Sequence, residues 1–317
     1  MEKKPNSEMT ECADLLLGID GGGTKTVFKL TDLDGNVLNR VTKGAANPND
    51  IGIEAAKELL KDGISEVCQG IPLSRVTMFA GIAGGGLSGN NAEILNRFFA
   101  GFGFNTFENG SDIENLVSLA DREECVLVIM GTGFVVFALN GNERKRVSGW
   151  GQFFDEGGSG YTIGRDCITA VLCESDGSGK KTMLSRLLED KAGRTAEENL
   201  AEFYRGGKKY IADFSDIVFL GAEQNDGVAK EILDKNMEFA ACKIMTAVRT
   251  FGKSCETIPV FVSGGLTNKS EILFPIIKKH LGNTPCELIK LEAEPVDGAV
   301  ARAKKIFTEN GEEKTEC

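Results

Sequence analysis

Leu16-Leu17-Gly18-Ile19-Asp20-Gly21-Gly22-Gly23-Thr24-Lys25-Thr26-Val27-Phe28-Lys29-Leu30-Thr31 is the stretch from which the fold can be read. The apolar run 15–19 predicts a buried strand that delivers one carboxylate, Asp20, to the mouth of a turn. Gly21, Gly22 and Gly23 follow at once, and 27–31 predicts a second strand. Glycine reaches backbone conformations closed to other residues and lets a second group come close. A hairpin with such a tip can turn bare N–H groups toward a phosphate. Asp20, at the strand end, is suited to hold magnesium through water, because that ion keeps most of its waters and takes one or two carboxylates. A glycine turn alone is more often only a turn. The rest of the chain therefore decides between an ordinary hairpin and a magnesium–nucleotide site.

Moving outward, Leu33-Asp34-Gly35-Asn36 signals a turn and 37–42 a third strand. A loop with Asn47-Pro48 follows. Ile51, Ala55, Leu59, Leu60, Ile64 and Val67 recur at helical spacing, which predicts an amphipathic helix over 51–69 with Asp50 as its cap. Strands are expected over 76–82 and 103–108, a helix over 89–100, and a helix opened by Asp112 and running to 120. Strands alternating with helices imply an α/β sheet with parallel members.

Then the pattern restarts. Residues 125–130 form an apolar run, Gly131-Thr132-Gly133 a glycine turn, and 134–139 and 143–147 two further strands, about 110 residues beyond the first copy. The duplication implies two similar units, each presenting a glycine hairpin to one ligand. Met130 stands where the first copy has Asp20, so the metal carboxylate belongs to the first copy alone. Helices are expected over 163–172, 182–205, 224–251, 268–280 and 295–307, with strands over 258–262 and 288–291. The expected division is a first lobe over 14–120 and a second over 121–308. The second carries a helical insertion near 175–255, and the last helix is a candidate to return to the first lobe. Residues 1–13 and 309–317 read as tails.

The 317 residues carry a net charge of −11 and a pI near 4.9, which argues against nonspecific nucleic-acid binding. No run of apolar residues approaches the roughly 18 needed to span a membrane. The nine cysteines are odd in number and form no C-x-x-C pair, the pattern of reduced thiols in a cytoplasmic protein. His280, the single histidine, sits at the polar end of a predicted helix, so acid–base chemistry falls to carboxylates. Two motifs mislead. Ser178-Gly179-Lys180-Lys181-Thr182 lacks the upstream glycine and the hydroxyl residue of a P-loop. Gly84-x-Gly86-x-x-Gly89, with Glu108 ending the next strand, sits in a dinucleotide-binding context but competes with the duplicated hairpins.

Taken together, G-I-D-G-G-G-T-K-T, G-T-G-F, G-W-G-x-x-F-D-E-G-G-S-G-Y-x-I-G-R and V-S-G-G-L closely resemble the N-acetylglucosamine kinase and BadF/BadG/BcrA/BcrD ATPase family over about 14–308. That family belongs to the sugar kinase, actin and heat-shock chaperone ATPase superfamily. The resemblance implies an α/β fold of two ribonuclease-H-like lobes with ATP between them. Gly21, Gly22, Gly23, Thr24 and Lys25 would face the phosphates from one side and Gly131, Thr132 and Gly133 from the other. Gly264 and Gly265 would lie against the adenosine, and Asp20 would hold Mg2+. Asp112, which by pattern alone reads as a helix N-cap, matches the family's catalytic base. Asn47, Gly84 and Thr132 match positions near the sugar. The family commonly reads G-D-E-G-S after the tryptophan loop, whereas this chain has Asp155-Glu156-Gly157-Gly158-Ser159. Either Glu156 occupies the sugar-binding position or the loop reshapes and Asp155 does so.

The activity implied is ATP-dependent phosphorylation of an amino sugar, N-acetylglucosamine or glucosamine, by a homodimer whose lobes close on the substrate. Two alternatives stand beside it. One is a BadF-type activase, an ATPase whose dimer holds an iron–sulfur cluster. The other is a non-catalytic sugar sensor, for which the thirteen residues before Asp14 leave no room for a DNA-binding domain.

Overall fold

The computed structural model describes residues 14–86, 90–141, 143–252 and 257–313. Gly89, Cys12, Cys255 and Cys317 lie outside these, as do the 1–13 tail and 314–317. The chain divides into two compact units, Met1–Asp121 with Ala293–Cys317, and Arg122–Glu292.

In the first unit, β1 (Leu15–Gly21), β2 (Thr26–Asp32) and β3 (Val37–Lys43) form an antiparallel meander. β4 (Val76–Ile82) lies parallel to β1, and β5 (Thr106–Gly110) parallel to β4. The sheet order is β3-β2-β1-β4-β5, the order of a ribonuclease-H-like lobe. β1 is apolar from Leu15 to Ile19 because both faces of this central strand are covered. Leu15, Leu17 and Ile19 point into a core built with α2 (Ile53–Val67) and α3 (Asn91–Ala100). Leu16 points the other way, to Ala299, Ala303 and Ile306 of the last helix, α11 (Pro295–Glu313).

Glycines set how close these helices lie. A Cβ at Gly18 would fall 2.6 Å from the backbone N of Val300, and one at Gly63 of α2 would overlap the Phe28 ring. Each helix therefore sits on the sheet at a distance only glycine allows.

The second unit repeats the plan. β6 (Glu124–Met130), β7 (Phe134–Asn140) and β8 (Glu143–Ser148) form the meander; β9 (Ile258–Ser263) and β10 (Cys286–Lys290) add in parallel. The order is β10-β9-β6-β7-β8. Its core joins Val126, Val128 and Met130 to α5 (Gly160–Ser175), α8 (Ser215–Glu223), α9 (Gly227–Arg249) and α10 (Ser270–Leu281).

Four boundaries depart from expectation. Asp50 does not cap the 51–69 helix. A short α1 (Pro48–Ile51) is capped by Asn47, whose side chain accepts from the N–H of Asn49, and Gly52, at φ +84°, separates it from α2. The expected 103–108 strand slips to Thr106–Gly110, because the Asn105 N–H is spent on the carbonyls of Leu73 and Val76. The 182–205 helix is two, α6 (Leu184–Ala192) and α7 (Leu200–Asp213), and α8 follows without having been expected. The last helix runs through residues 309–313, read from sequence as part of a tail. Among the described residues no helix is long and apolar enough to cross a membrane.

Candidate active site

α4 (Ile113–Ala120) organises the polar end of the first sheet. Asp112 stands at its N-cap, yet its carboxylate makes no capping hydrogen bond; it accepts instead from Ser111 Oγ at 3.0 Å. One turn later Asn115, completely buried, donates from Nδ2 to Asp20 Oδ1 at 2.7 Å. Residues three apart share a helix face, so α4 turns Asp112 and Asn115 the same way.

Room for Asn115 is made by two glycines. A Cβ at Gly81 of β4, the residue paired with Asp20, would fall 2.6 Å from the Asn115 carboxamide carbon. A Cβ at Gly298 of α11 would fall 2.7 Å from the Asn115 carbonyl carbon. Asn115 escaped the sequence reading, because one asparagine among Ile113, Glu114 and Leu116 looks like a surface position. The spacing Asp112-x-x-Asn115 was the available signal.

Burial pushes the Asp20 carboxyl up to about 7, opposed by the Asn115 hydrogen bond; the Asp112 charge raises it further, Lys25 lowers it and Glu294 raises it. A carboxylate costly to ionise in a low-dielectric pocket is one that a cation would recharge. The Asn115 Oδ1, buried, has no hydrogen-bond partner in the protein. A carboxylate, a neighbouring acid and an acceptor without a donor fit a hydrated magnesium ion, which brings positive charge and water O–H groups. Among the described residues there is no cluster of three or more His, Cys, Asp or Glu that would hold a metal by direct ligation.

The β1–β2 turn closes when Gly22 N–H donates to the Lys25 carbonyl at 2.9 Å. It is pinned from behind by Ala83 N–H on the Gly21 carbonyl and Ala46 N–H on that of Gly22. Asp50 Oδ2 lies 3.2 Å from where a Gly23 Cβ would be, and Asn47 Nδ2 donates to that same oxygen at 2.8 Å. Gly84, at φ +70°, leaves space for Asn47 and Asn49, and Asn91 ties the group together by donating to the carbonyl of Gly84 and to Asn49 Oδ1. The structure thus brings Asn47 and Gly84 together beside the glycine turn.

In the second unit the β6–β7 turn is one residue shorter: Gly131 N–H donates to the Gly133 carbonyl at 2.9 Å. The start of α5 is bonded to it, Gly160 N–H to the Gly131 carbonyl at 2.8 Å and Tyr161 N–H to that of Thr132 at 3.3 Å. Gly264, at φ +105°, packs on the Met130 backbone, and Gly265 N lies 3.9 Å from a Gly131 Cβ position. Both glycine turns of this unit, 131–133 and 264–265, therefore meet at one sheet end.

The acidic pair after Trp150 separates. Asp155 is buried, accepting from Ser148 Oγ at 2.8 Å and from the Gly151 N–H at 3.0 Å. Both its oxygens brace the loop. Glu156 is exposed, and its backbone carbonyl accepts from Arg165. Burial pushes the Cys125 and Cys167 thiols up to about 12, the wrong direction for thiolate ligands to iron.

Residues 17–303 match the profile of the BadF/BadG/BcrA/BcrD ATPase family. An N-acetylmuramic acid/N-acetylglucosamine kinase of Clostridium acetobutylicum is 30% identical over 91% of this chain and 98% of its own length. An N-acetyl-D-glucosamine kinase of Dictyostelium discoideum is 27% identical over 92% of this chain and 98% of its own. Among solved structures, a Chromobacterium violaceum protein superposes with a TM-score of 0.73 at 22% identity, covering 92% of this chain and 99% of that one. The α/β fold with a duplicated five-stranded sheet is the one the sequence led us to expect.

Proposed function

This chain belongs to the BadF/BadG/BcrA/BcrD ATPase family, and on that footing we propose that it is a kinase that transfers the terminal phosphate of ATP to a hydroxyl of an amino sugar. N-acetylglucosamine or glucosamine is the first substrate to try. The relatives named as kinases of N-acetylglucosamine, matched nearly end to end, support the reaction class. The observation that carries the chemistry is the α4 N-terminus, where Asp112 keeps its carboxylate out of the capping role while Asn115 fixes Asp20.

Asp112 accepts the proton of the attacking sugar hydroxyl. The sugar oxygen bonds to the terminal phosphorus, the bond to the bridging oxygen breaks, and ADP leaves. Asp20 and Asn115 are the residues that would hold magnesium, which when bound neutralises phosphate charge. The turns at Gly21 to Lys25 and Gly131 to Gly133 offer backbone N–H groups to phosphate oxygens, and Gly264 and Gly265 flank the nucleoside. Asn47, Gly84 and Thr132 take the sugar. Glu156 takes a sugar hydroxyl, since both oxygens of Asp155 are committed to the loop. The enzyme works in the cytoplasm as a homodimer. The BadF-type activase gains nothing from the buried, unactivated thiols.

An ADP-release assay over N-acetylglucosamine, glucosamine, N-acetylmuramic acid, N-acetylmannosamine and glucose tests this. Magnesium-dependent turnover on an amino sugar is expected. ATP hydrolysis unaffected by every sugar would overturn the kinase reading.

A further inference from the structure

The second glycine turn lacks what the first carries within itself. The β1–β2 turn holds Lys25, a cation four residues past Gly21, whereas the β6–β7 turn runs Gly131-Thr132-Gly133 straight into Phe134. The protein as a whole is acidic, at −11. A polyphosphate facing only backbone N–H groups there would meet no local positive charge from the turn itself.

The fold supplies one from α7. At Gly207 the helix is broken, with φ +61° and ψ −155°, a conformation essentially reserved for glycine. The residue after the break is Lys208, and its Nζ lies 3.5 Å from the position a Cβ on Gly133 would take. Lys208 is half-buried, and among the described residues neither an ion pair nor a hydrogen bond engages it. Lysines of the same region behave otherwise: Lys191 pairs with Asp216, and Lys235 with Asp166. Its ammonium is therefore available to an anionic ligand at the turn.

The position is also fixed from behind. A Cβ on Gly164 of α5 would fall 3.0 Å from the Ile211 carbonyl carbon, so the segment after the break lies backbone-on-backbone against α5. The first residue of α5, Gly160, is itself bonded to the Gly131 carbonyl. Turn, helix start and lysine therefore form one packed group within the second unit.

We infer that Lys208 is a phosphate-binding residue of the nucleotide site, its ammonium supplying at Gly131–Gly133 the charge that this turn lacks. The inference rests on the kinase reading above, deepening it with a residue no motif contains. Its chemical target is a nucleotide's phosphate chain, not the nucleoside and not the sugar.

Calorimetric titration of the full chain with ADP, ATP and adenosine tests it. Lys208→Met is expected to weaken ADP and ATP by about 10- to 100-fold, the worth of a hydrogen bond to a charged group, and to change adenosine by less than about twofold. Lys208→Arg should stay near wild type, as should Lys209→Met at the exposed neighbour. In turnover, KM for ATP should rise in Lys208→Met while KM for the sugar does not. Lys208→Gln serves as a second variant, and both should keep the wild-type melting temperature. Unchanged ADP affinity in both folded variants, an equal loss for adenosine, or a change confined to the sugar would overturn the inference and leave the kinase reading standing. Failure of the wild-type protein to bind ADP or ATP would instead remove that reading, and this one with it.

Discussion

Replacing Asp20 by Asn isolates the energetic consequence of a carboxylate held in a pocket that disfavours its charge. The substitution is close to isosteric and keeps an oxygen for the Asn115 Nδ2 hydrogen bond. The carboxyl has an ordinary value of 3.8 and is raised to about 7 in the folded chain, chiefly by burial. Below 3.8 both folded and unfolded states hold the proton. Between 3.8 and about 7 the folded state alone holds it, so stability falls as pH rises. Above about 7 both are ionised and the cost levels off. The full shift corresponds to about 4 kcal/mol, and the part lying between pH 5 and pH 8 to about 3 kcal/mol. Asp20→Asn lacks this titration, and groups not coupled to Asp20 cancel in the difference. Its stability relative to wild type should therefore rise by about 3 kcal/mol between pH 5 and pH 8 in metal-free buffer.

Urea unfolding followed by far-UV circular dichroism reads this. The single tryptophan, Trp150, belongs to the other unit and is blind to it. Adding magnesium and ADP at pH 8 should stabilise the wild type more than the variant, because the cation recharges a carboxylate the variant lacks. A difference that is the same at pH 5 and pH 8 would refute the buried-carboxylate argument.

Asp112→Asn should lower kcat by about 10²- to 10⁴-fold, the usual worth of a general base, while calorimetry still records ATP binding; undiminished turnover would remove Asp112 as base. Glu156→Gln is expected to raise KM for the sugar with little effect on melting temperature, whereas Asp155→Asn should lower the melting temperature by loosening Ser148 and Gly151. The reverse pattern would exchange their roles. Gly81→Ala forces a methyl against Asn115 and should cost about 1–3 kcal/mol in the unfolding assay, as overpacking does elsewhere. No change in stability would mean that α4 tolerates displacement.

β1, β6 and β9 were legible because each is an apolar run that ends at a glycine turn, and the duplication because both copies share that punctuation. α2 was legible through Ile64 and Val67 at helical spacing, but its true start was hidden. Gly52 interrupts the periodic run, and Asn47 rather than Asp50 does the capping. α8 falls between the expected helices over 182–205 and 224–251, in a stretch to which the sequence pattern assigned no element. At the site, Asp20 and Asp112 were visible as carboxylates at element ends. Asn115 was not, since its importance comes from Gly81 and Gly298 making room for it in three dimensions. Lys208 was hidden for a similar reason: Gly206-Gly207-Lys208-Lys209 reads as a polar surface run until the break at Gly207 aims one lysine at Gly133. The choice between Asp155 and Glu156 could not be made by counting along the loop. The proposal of Glu156 rests instead on both Asp155 oxygens being engaged by Ser148 and the Gly151 N–H.

The last helix packs on β1 at Gly18, although more than half the chain separates them in sequence. During synthesis, then, the first sheet lacks its α11 cover while Arg122–Glu292 is made and completes a continuous unit of its own. Its cover of Ala299, Ala303 and Ile306 is made only after that unit. A chain without α11 thus exposes Leu16 and Phe79. The unit that begins first is completed after the other, so the pocket around Asp20 and Asn115 takes its final form only once α11 has been made.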